Sequence, residues 1–200
     1  MPVLIHDPGA FVVYVLITSI TPGPNNLMLT TVGVTRGHIA ALRTAAGVSV
    51  GWAIQMAVCG LGLAEVMHAV PILARIIEGL AVAYLLWLAW RLWRTDHIGS
   101  AAPSLGFRGA ILFQWVNPKA IILSLSVAGL FVVHTGSALH LWSALAVALA
   151  AGVLNYPCVG LWGLAGSSMS TWLSRSEQAR RFNRVAAGAL VVLVLWLLLG

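Results

Sequence analysis

Charge is what this sequence lacks most. Of its 200 residues only 8% are Asp, Glu, Lys or Arg, and just five are acidic, whereas an ordinary soluble domain carries about 25% charged residues. So few charges do not cover a folded surface in water, which excludes a soluble globular domain. Cysteine is nearly absent as well. Cys59 and Cys158 each stand in an apolar stretch, where two reduced, buried small side chains are expected. No His/Asp/Glu cluster has ligand spacing, so no metal and no cofactor is expected. The ten-residue alternating segments of an outer-membrane barrel are missing. The opening MPVLIHDPGA has no basic stretch and no clear cleavage site, so no cleaved leader is expected. The net charge of +6 comes without an aromatic-interleaved basic patch, so nucleic acid is not an expected partner.

What remains is 60% hydrophobic, in long runs that recur along the whole chain. Six stretches are long enough to cross a bilayer: 10–34, 40–65, 70–93, 108–133, 139–165 and 183–200. The last is the weakest and spans only if Asn183 and Arg184 sit at the interface with the arginine snorkelling. Ten of the eleven basic residues flank the links between spans 1–2, 3–4 and 5–6; only Arg75 lies elsewhere. By the positive-inside rule those links are cytoplasmic and both termini face outward. A multi-pass protein of the bacterial inner membrane is expected.

The first span contains TPGPNN. Before Pro22 the apolar run from Gly9 holds about a dozen residues, and after Asn26 about eight; neither crosses a hydrocarbon core of about 30 Å alone. The break therefore lies inside the bilayer, where Pro22 and Pro24 free the carbonyls of Thr18 and Ile20. Irregular backbone at that depth must be buried in protein or line a wet cavity. The fourth span repeats the pattern with Asn117, Pro118 and Lys119. Counted from Gly109, Lys119 lies about 15 Å along a helix, near the midplane, where a lysine is functional unless it snorkels to the interface.

Pro22 and Pro118 are 96 positions apart in a chain of 200. The chain thus divides into a first repeat, about 1–95, and a second, about 105–200, each of three spans and each opening with a broken helix. Three is odd, so the halves have opposite orientations, the sequence pointer to a midplane transport site. The fold expected is an all-α polytopic membrane protein of six transmembrane helices in two inverted three-helix repeats, forming a single transmembrane domain, with helices 1 and 4 broken by proline.

The stretch TPGPNNLMLTTVGVTRGHIAALRTAAGVSVG, followed in order by AYLLWLAWRLWR, QWVNPKA and Arg181–Phe182–Asn183–Arg184, resembles the LysE/RhtB-type amino-acid exporters over nearly the whole chain. The resemblance implies a secondary transporter, not an enzyme. It would export amino acids or small derivatives from the cytoplasm, driven by the proton gradient. Many members have Asp directly after Pro-Gly-Pro, whereas Asn25 stands here; the form resembles the cysteine/O-acetylserine branch, and an amide carries no proton. The substrate site expected is Pro22, Gly23, Pro24, Asn25, Asn26, Asn117, Pro118 and Lys119, with freed carbonyls taking an ammonium and Lys119 a carboxylate. Glu78 is the candidate coupling acid, with an i,i+3 pairing to Arg75 as its plainer reading. A small amino-acid substrate and the lipid bilayer are the partners expected, and a homo-oligomer is allowed.

A competing reading is a thiol–disulfide electron carrier using Cys59 and Cys158, which occupy corresponding second and fifth spans. The six histidines (His6, His38, His68, His97, His134 and His140) fall at or near expected loops, where no catalytic dyad forms. Trp87, Trp90, Trp93, Trp142 and Trp172 fit an interfacial belt; Trp52 and Tyr84 lie deeper, where lining a cavity is open to them and helix packing is their plainer role.

Overall fold

A computed structural model describes residues 4–63, 69, 71–98, 105–133 and 137–199. Every regular element among them is helical: α1 (Pro8–Ile20), α2 (Pro24–Val58) continuing into a π-helical turn (Cys59–Leu63), α3 (Pro71–Trp93), α4 (Phe107–Phe113), α5 (Pro118–Phe131), α6 (Ser137–Ser168), α7 (Ser170–Leu173) and α8 (Ser176–Leu199). His68 and His134 lie outside the described residues.

By length and composition, two helices suffice to cross a bilayer, Pro24–Gly62 and Ala138–Ser168. The pair Phe107–Phe113 and Pro118–Phe131, bent by 65°, makes a third, while Pro8–Ile20 and Val82–Trp93 are shorter apolar helices. The first of these is not a straight rod. Gly37 sits at φ 80°, ψ 175° inside α2, a conformation open to glycine. A Cβ placed on Gly163 of α6 would lie 2.7 Å from the Ala41 Cβ and 3.6 Å from the Leu29 carbonyl. In a continuous helix those two residues would be about 18 Å apart, so α2 folds back on itself at Gly37.

Helix α6 fills the notch this makes. Added Cβ atoms on Gly166 and Gly33 would run into the backbone of Thr30 and of Gly163 respectively, so these glycines let helix backbones touch, as small residues do in membrane bundles. Gly47 and Gly51 do the same for α4, whose Phe107 and Ile111 backbones lie against them. Helices α3 and α8 pack together through Leu85, Leu88, Leu92, Ala187, Leu190 and Val194, with Leu27 of α2 between them.

The elements' outer faces are apolar, with residues such as Leu80, Leu112, Leu149 and Val192 exposed, as a lipid-facing surface requires. Trp87, Trp90 and Trp93 are exposed too, and each carries an arginine on its ring: Arg91 at 5.0 Å, Arg94 at 5.2 Å and Arg184 at 5.3 Å. Arg184 therefore stacks on α3. Helix α8 begins at Ser176, before the expected 183, and Asn183 is buried, donating to the carbonyls of Thr95 (2.9 Å) and His97 (3.4 Å). Arg180 pairs with Asp96 at 2.8 Å, and together these contacts seat the start of the 94–107 link on α8.

Candidate functional site

The two helix breaks meet. Proline 22 and proline 24 supply no N–H to the carbonyls of Thr18 and Ile20, and each carbonyl finds another donor. Thr18 O accepts from the Thr21 hydroxyl at 2.9 Å, and Ile20 O accepts from the Trp162 indole at 3.1 Å. The Asn26 amide donates to Ser19 O (3.0 Å) and Thr21 O (2.7 Å). The carbonyls expected to be open for a ligand, those of Thr18 and Ile20, are thus already taken; the ones that reach the other break are those of Thr21 and Pro22. Lys119 Nζ donates to Thr21 O at 2.9 Å, to Thr21 Oγ1 at 2.8 Å and to Pro22 O at 3.4 Å.

The second break is closed by the same logic. Pro118 leaves Gln114 O without its i+4 amide, and the Gln55 side chain donates to it at 2.8 Å. Gln55 in turn accepts from the Ser124 hydroxyl at 3.0 Å. The Gln114 side chain exchanges two hydrogen bonds with Asn25, at 2.9 and 3.2 Å, and also donates to Ala110 O at 2.9 Å. Gln55 and Gln114 are 1% and 0% exposed, so an unmade bond at either side chain is costly, although the Asn25 end of the pair is only half-buried.

Both half-helices after the breaks open on proline with no side-chain cap: α2 at Pro24 behind extended Gly23, and α5 at Pro118 behind Asn117. Their uncapped first turns carry partial positive charge. They converge on a small polar cavity of about 30 Å³ lined by Thr18, Ser19, Gly23, Asn25, Asn26, Trp52, Asn117, Lys119 and Asn155 with Ala120, Leu123 and Val159. That volume is well below the roughly 300–1,000 Å³ of a ligand pocket. Asn155 bridges the hydroxyls of Ser19 and Ser49, both at 3.0 Å. Two buried polar atoms of the lining have no partner, Asn117 Oδ1 and Trp52 Nε1.

Apolar layers flank the cavity at both ends. Toward the start of α1 and the end of α5, Phe11, Val15, Val127 and Phe131 pack with Met56 and Trp52, and Phe11 meets Phe131 edge-on at 5.4 Å. Toward the start of α4, Met28, Leu29, Val48, Ala110 and Phe113 close the other side. A larger apolar groove of about 910 Å³ runs between α1, α5 and α8, and Thr18, Lys119 and Leu123 line both it and the cavity.

The structure brings Gly23, Asn25, Asn26, Asn117 and Lys119 to the cavity, with Pro22 on the groove side; Pro24 and Pro118 open the two half-helices and are not in the lining. Ser19, Gln55, Gln114, Ser124, Asn155 and Trp162 join them although none was expected. Amides in the middle of apolar spans were the signal that would have found three of these. Trp52 turns to the cavity, whereas Tyr84 packs with Trp87 at 5.7 Å. Glu78 lies in α3, with its side chain outside the described ones. Cys59 and Cys158 are free, and Cys59 packs against Ala128 and Leu125.

Residues 16–200 match the family model described as LysE type translocator. The chain belongs to the LysE type translocator family. This LysE chain is 32% identical over 187 residues to the cysteine/O-acetylserine efflux protein of Escherichia coli (strain K12), covering 92% of this chain and 93% of that protein. The proteins of the same name from Klebsiella pneumoniae and Salmonella typhimurium are each 32% identical over 162 residues, covering 79% of this chain and 81% of theirs. No solved structure matches. Membership of this membrane transport family, with a redox role nowhere in the relatives' names, leaves the electron-carrier reading without support.

Proposed function

We propose that this LysE-family chain exports small neutral α-amino acids or their derivatives from the cytoplasm by proton-coupled alternating access. The single observation that carries the reading is the meeting of two proline-opened half-helices, one from each half of the chain, at one polar cavity inside an apolar bundle. The relatives' names give the substrate class: cysteine and O-acetylserine are both small and carry no charged side chain. The lining agrees, since Lys119 is its only charged side chain.

In this reading the chain is one transmembrane domain of six spans: α1 with the part of α2 before Gly37, the part after it, α3, the bent pair α4–α5, α6 and α8. Spans 1–3 and 4–6 are inverted repeats. The packing of α2 on α6, of α3 on α8, and of break upon break supports a two-fold relation between them. The arginine-rich links lie in the cytoplasm and the termini outside. The site comprises Pro22, Gly23, Pro24, Asn25, Asn26, Asn117, Pro118 and Lys119. Carbonyls of the first break bind the substrate ammonium, and the two helix N-termini with Lys119 bind its carboxylate. A cavity of about 30 Å³ must widen to admit an amino acid, so one apolar layer parts on each side in turn. Glu78 remains the candidate for proton coupling.

The test is a panel of amino acids scored for growth resistance and efflux with and without overexpression, repeated with a proton uncoupler. Resistance to small neutral amino acids, abolished by the uncoupler, is the expected result. Efflux of none of them refutes the reading; efflux that ignores the uncoupler refutes the coupling.

A further inference from the structure

The contact between Lys119 and the first break has a chemistry of its own. A protonated lysine offers three donors and no acceptor. Nζ meets three oxygens, Thr21 O, Thr21 Oγ1 and Pro22 O. That trio is the set a free amino acid's ammonium would need. The two lysine-facing carbonyls belong to the residues just before α2 opens, so they are fixed by the break itself. Gly23 makes the approach possible: a Cβ there would stand 2.9 Å from Lys119 Cδ and 3.2 Å from Nζ.

We propose that Lys119 is a tethered stand-in for the substrate ammonium, which occupies that ammonium's oxygens and yields them only to a ligand bearing a carboxylate. This rests on the transport reading above and names what the same site demands of its ligand. An incoming ammonium competes for oxygens that Lys119 already occupies. Two cations do not share them, because like charges a few ångströms apart at this burial repel strongly. A zwitterion resolves the conflict. Its carboxylate, held by the uncapped turns at Asn25–Asn26 and Lys119–Ala120, draws Nζ away, and its ammonium takes the vacated oxygens. Charge in the site then rises by nothing, since the ligand is neutral overall. A bare amine adds a second positive charge and brings no anion for Lys119. None is at hand among the described residues, where no acidic side chain lines the cavity. Of the described acids, Asp7 caps α1, Asp96 pairs with Arg180, and Glu177 pairs with Arg181. The site thus selects free α-amino acids over their decarboxylated amines through a lysine that lets go.

The test uses purified full-length protein in detergent and a matched pair of probes, L-serine and ethanolamine, which differ by the carboxylate. Binding is read by calorimetry and by the shift in thermal unfolding. Wild type is expected to bind ethanolamine on the order of tenfold or more weakly than L-serine. In Lys119→Met the oxygens are vacant, and ethanolamine binding rises by a similar factor while L-serine binding falls, so the preference inverts. Gly23→Ala supplies a charge-preserving check: its extended backbone (φ −175°) accepts alanine, and the new methyl pushes on the Lys119 side chain, with Cδ at 2.9 Å and Nζ at 3.2 Å. It moves the preference the same way by a smaller factor, and it decides the matter where Lys119→Met fails to fold. Ethanolamine binding unchanged in a folded variant overturns the proposal, as does wild type binding both probes alike. The exporter reading stands or falls separately, on efflux from cells, since the gain of amine binding needs no transport.

Discussion

The reciprocal pair between Asn25 and Gln114 gives the sharpest test that the two breaks meet. The residues are 89 positions apart and exchange two hydrogen bonds, at 2.9 and 3.2 Å. Replacing Asn25 by Ala strands Gln114 Oε1, while Gln114 Nε2 keeps its bond to Ala110 O. One buried acceptor left unpaired costs about 1–3 kcal/mol. Replacing Gln114 by Ala removes the same pair, the Ala110 bond and the packing of a fully buried side chain, about 2–4 kcal/mol in all. With the partner already gone, the second substitution has less to break. Membrane-protein hydrogen bonds measured by such cycles average about 0.6 kcal/mol each, so two give a coupling of about 1–2 kcal/mol. The assay is reversible unfolding of wild type, both single variants and the double variant in mixed micelles titrated with dodecyl sulfate, followed by tryptophan fluorescence. Single-variant costs that add to the double-variant cost within about 0.3 kcal/mol would show the two side chains do not interact, and with that the convergence of the breaks would fall.

Other consequences follow from the same geometry. Gly166→Ala would put a methyl 2.9 Å from Thr30 Cα and 3.0 Å from its carbonyl carbon, costing about 2–3 kcal/mol, whereas Gly79→Ala meets nothing within 4 Å and is neutral or stabilising by up to about 1 kcal/mol; thermal unfolding of the two compares them, and equal midpoints refute the packing account. Trp162→Phe keeps the ring but strips the donor from Ile20 O, lowering stability by about 1 kcal/mol, and an unchanged midpoint would mean that carbonyl has another partner. Asn183→Ala frees the carbonyls of Thr95 and His97 from α8 and costs about 1–2 kcal/mol; faster proteolysis near residues 94–98 is the readout, and an unchanged cleavage rate counts against the contact. Cys59→Ala combined with Cys158→Ala retains export, and loss of export in a stably folded double variant would restore the thiol-carrier reading.

Where the chain breaks was legible because the argument is one of length. An apolar run interrupted at Pro22 or Pro118 is too short to cross on either side, so the break has to lie at depth. The gap between spans 1 and 2, left at 35–39, contains the fold-back at Gly37, marked by a residue that tolerates positive φ. The third helix was legible as a span, but the arginines on its tryptophans were not: Trp87–Arg91 and Trp90–Arg94 are i,i+4 neighbours, whereas Arg184 reaches Trp93 from α8. The identity of the free carbonyls was not legible. Removing an N–H names the oxygen that loses its partner, but not the donor that replaces it. Trp162 comes to Ile20 from 142 positions away, and Gln55 comes to Gln114 from 59. Trp52 reads as packing in sequence because a tryptophan's two roles share one apolar surface; only its place beside Asn25, Asn117 and Lys119 separates them.

By itself the sequence determined that this is an all-helical membrane chain with one break in each half and a lysine at the second. Hydropathy, helix rise and the missing N–H of proline are local quantities, set by neighbours within a turn or two. Tertiary structure alone decided that the breaks face each other, that Lys119 sits on Thr21 and Pro22, and that the space between narrows to about 30 Å³. Those outcomes depend on how closely α6 approaches both arms of α2, which is set where backbone meets backbone at Gly33, Gly163 and Gly166. A glycine in the sequence permits such contact, but which backbone it meets is settled only when the helices pack.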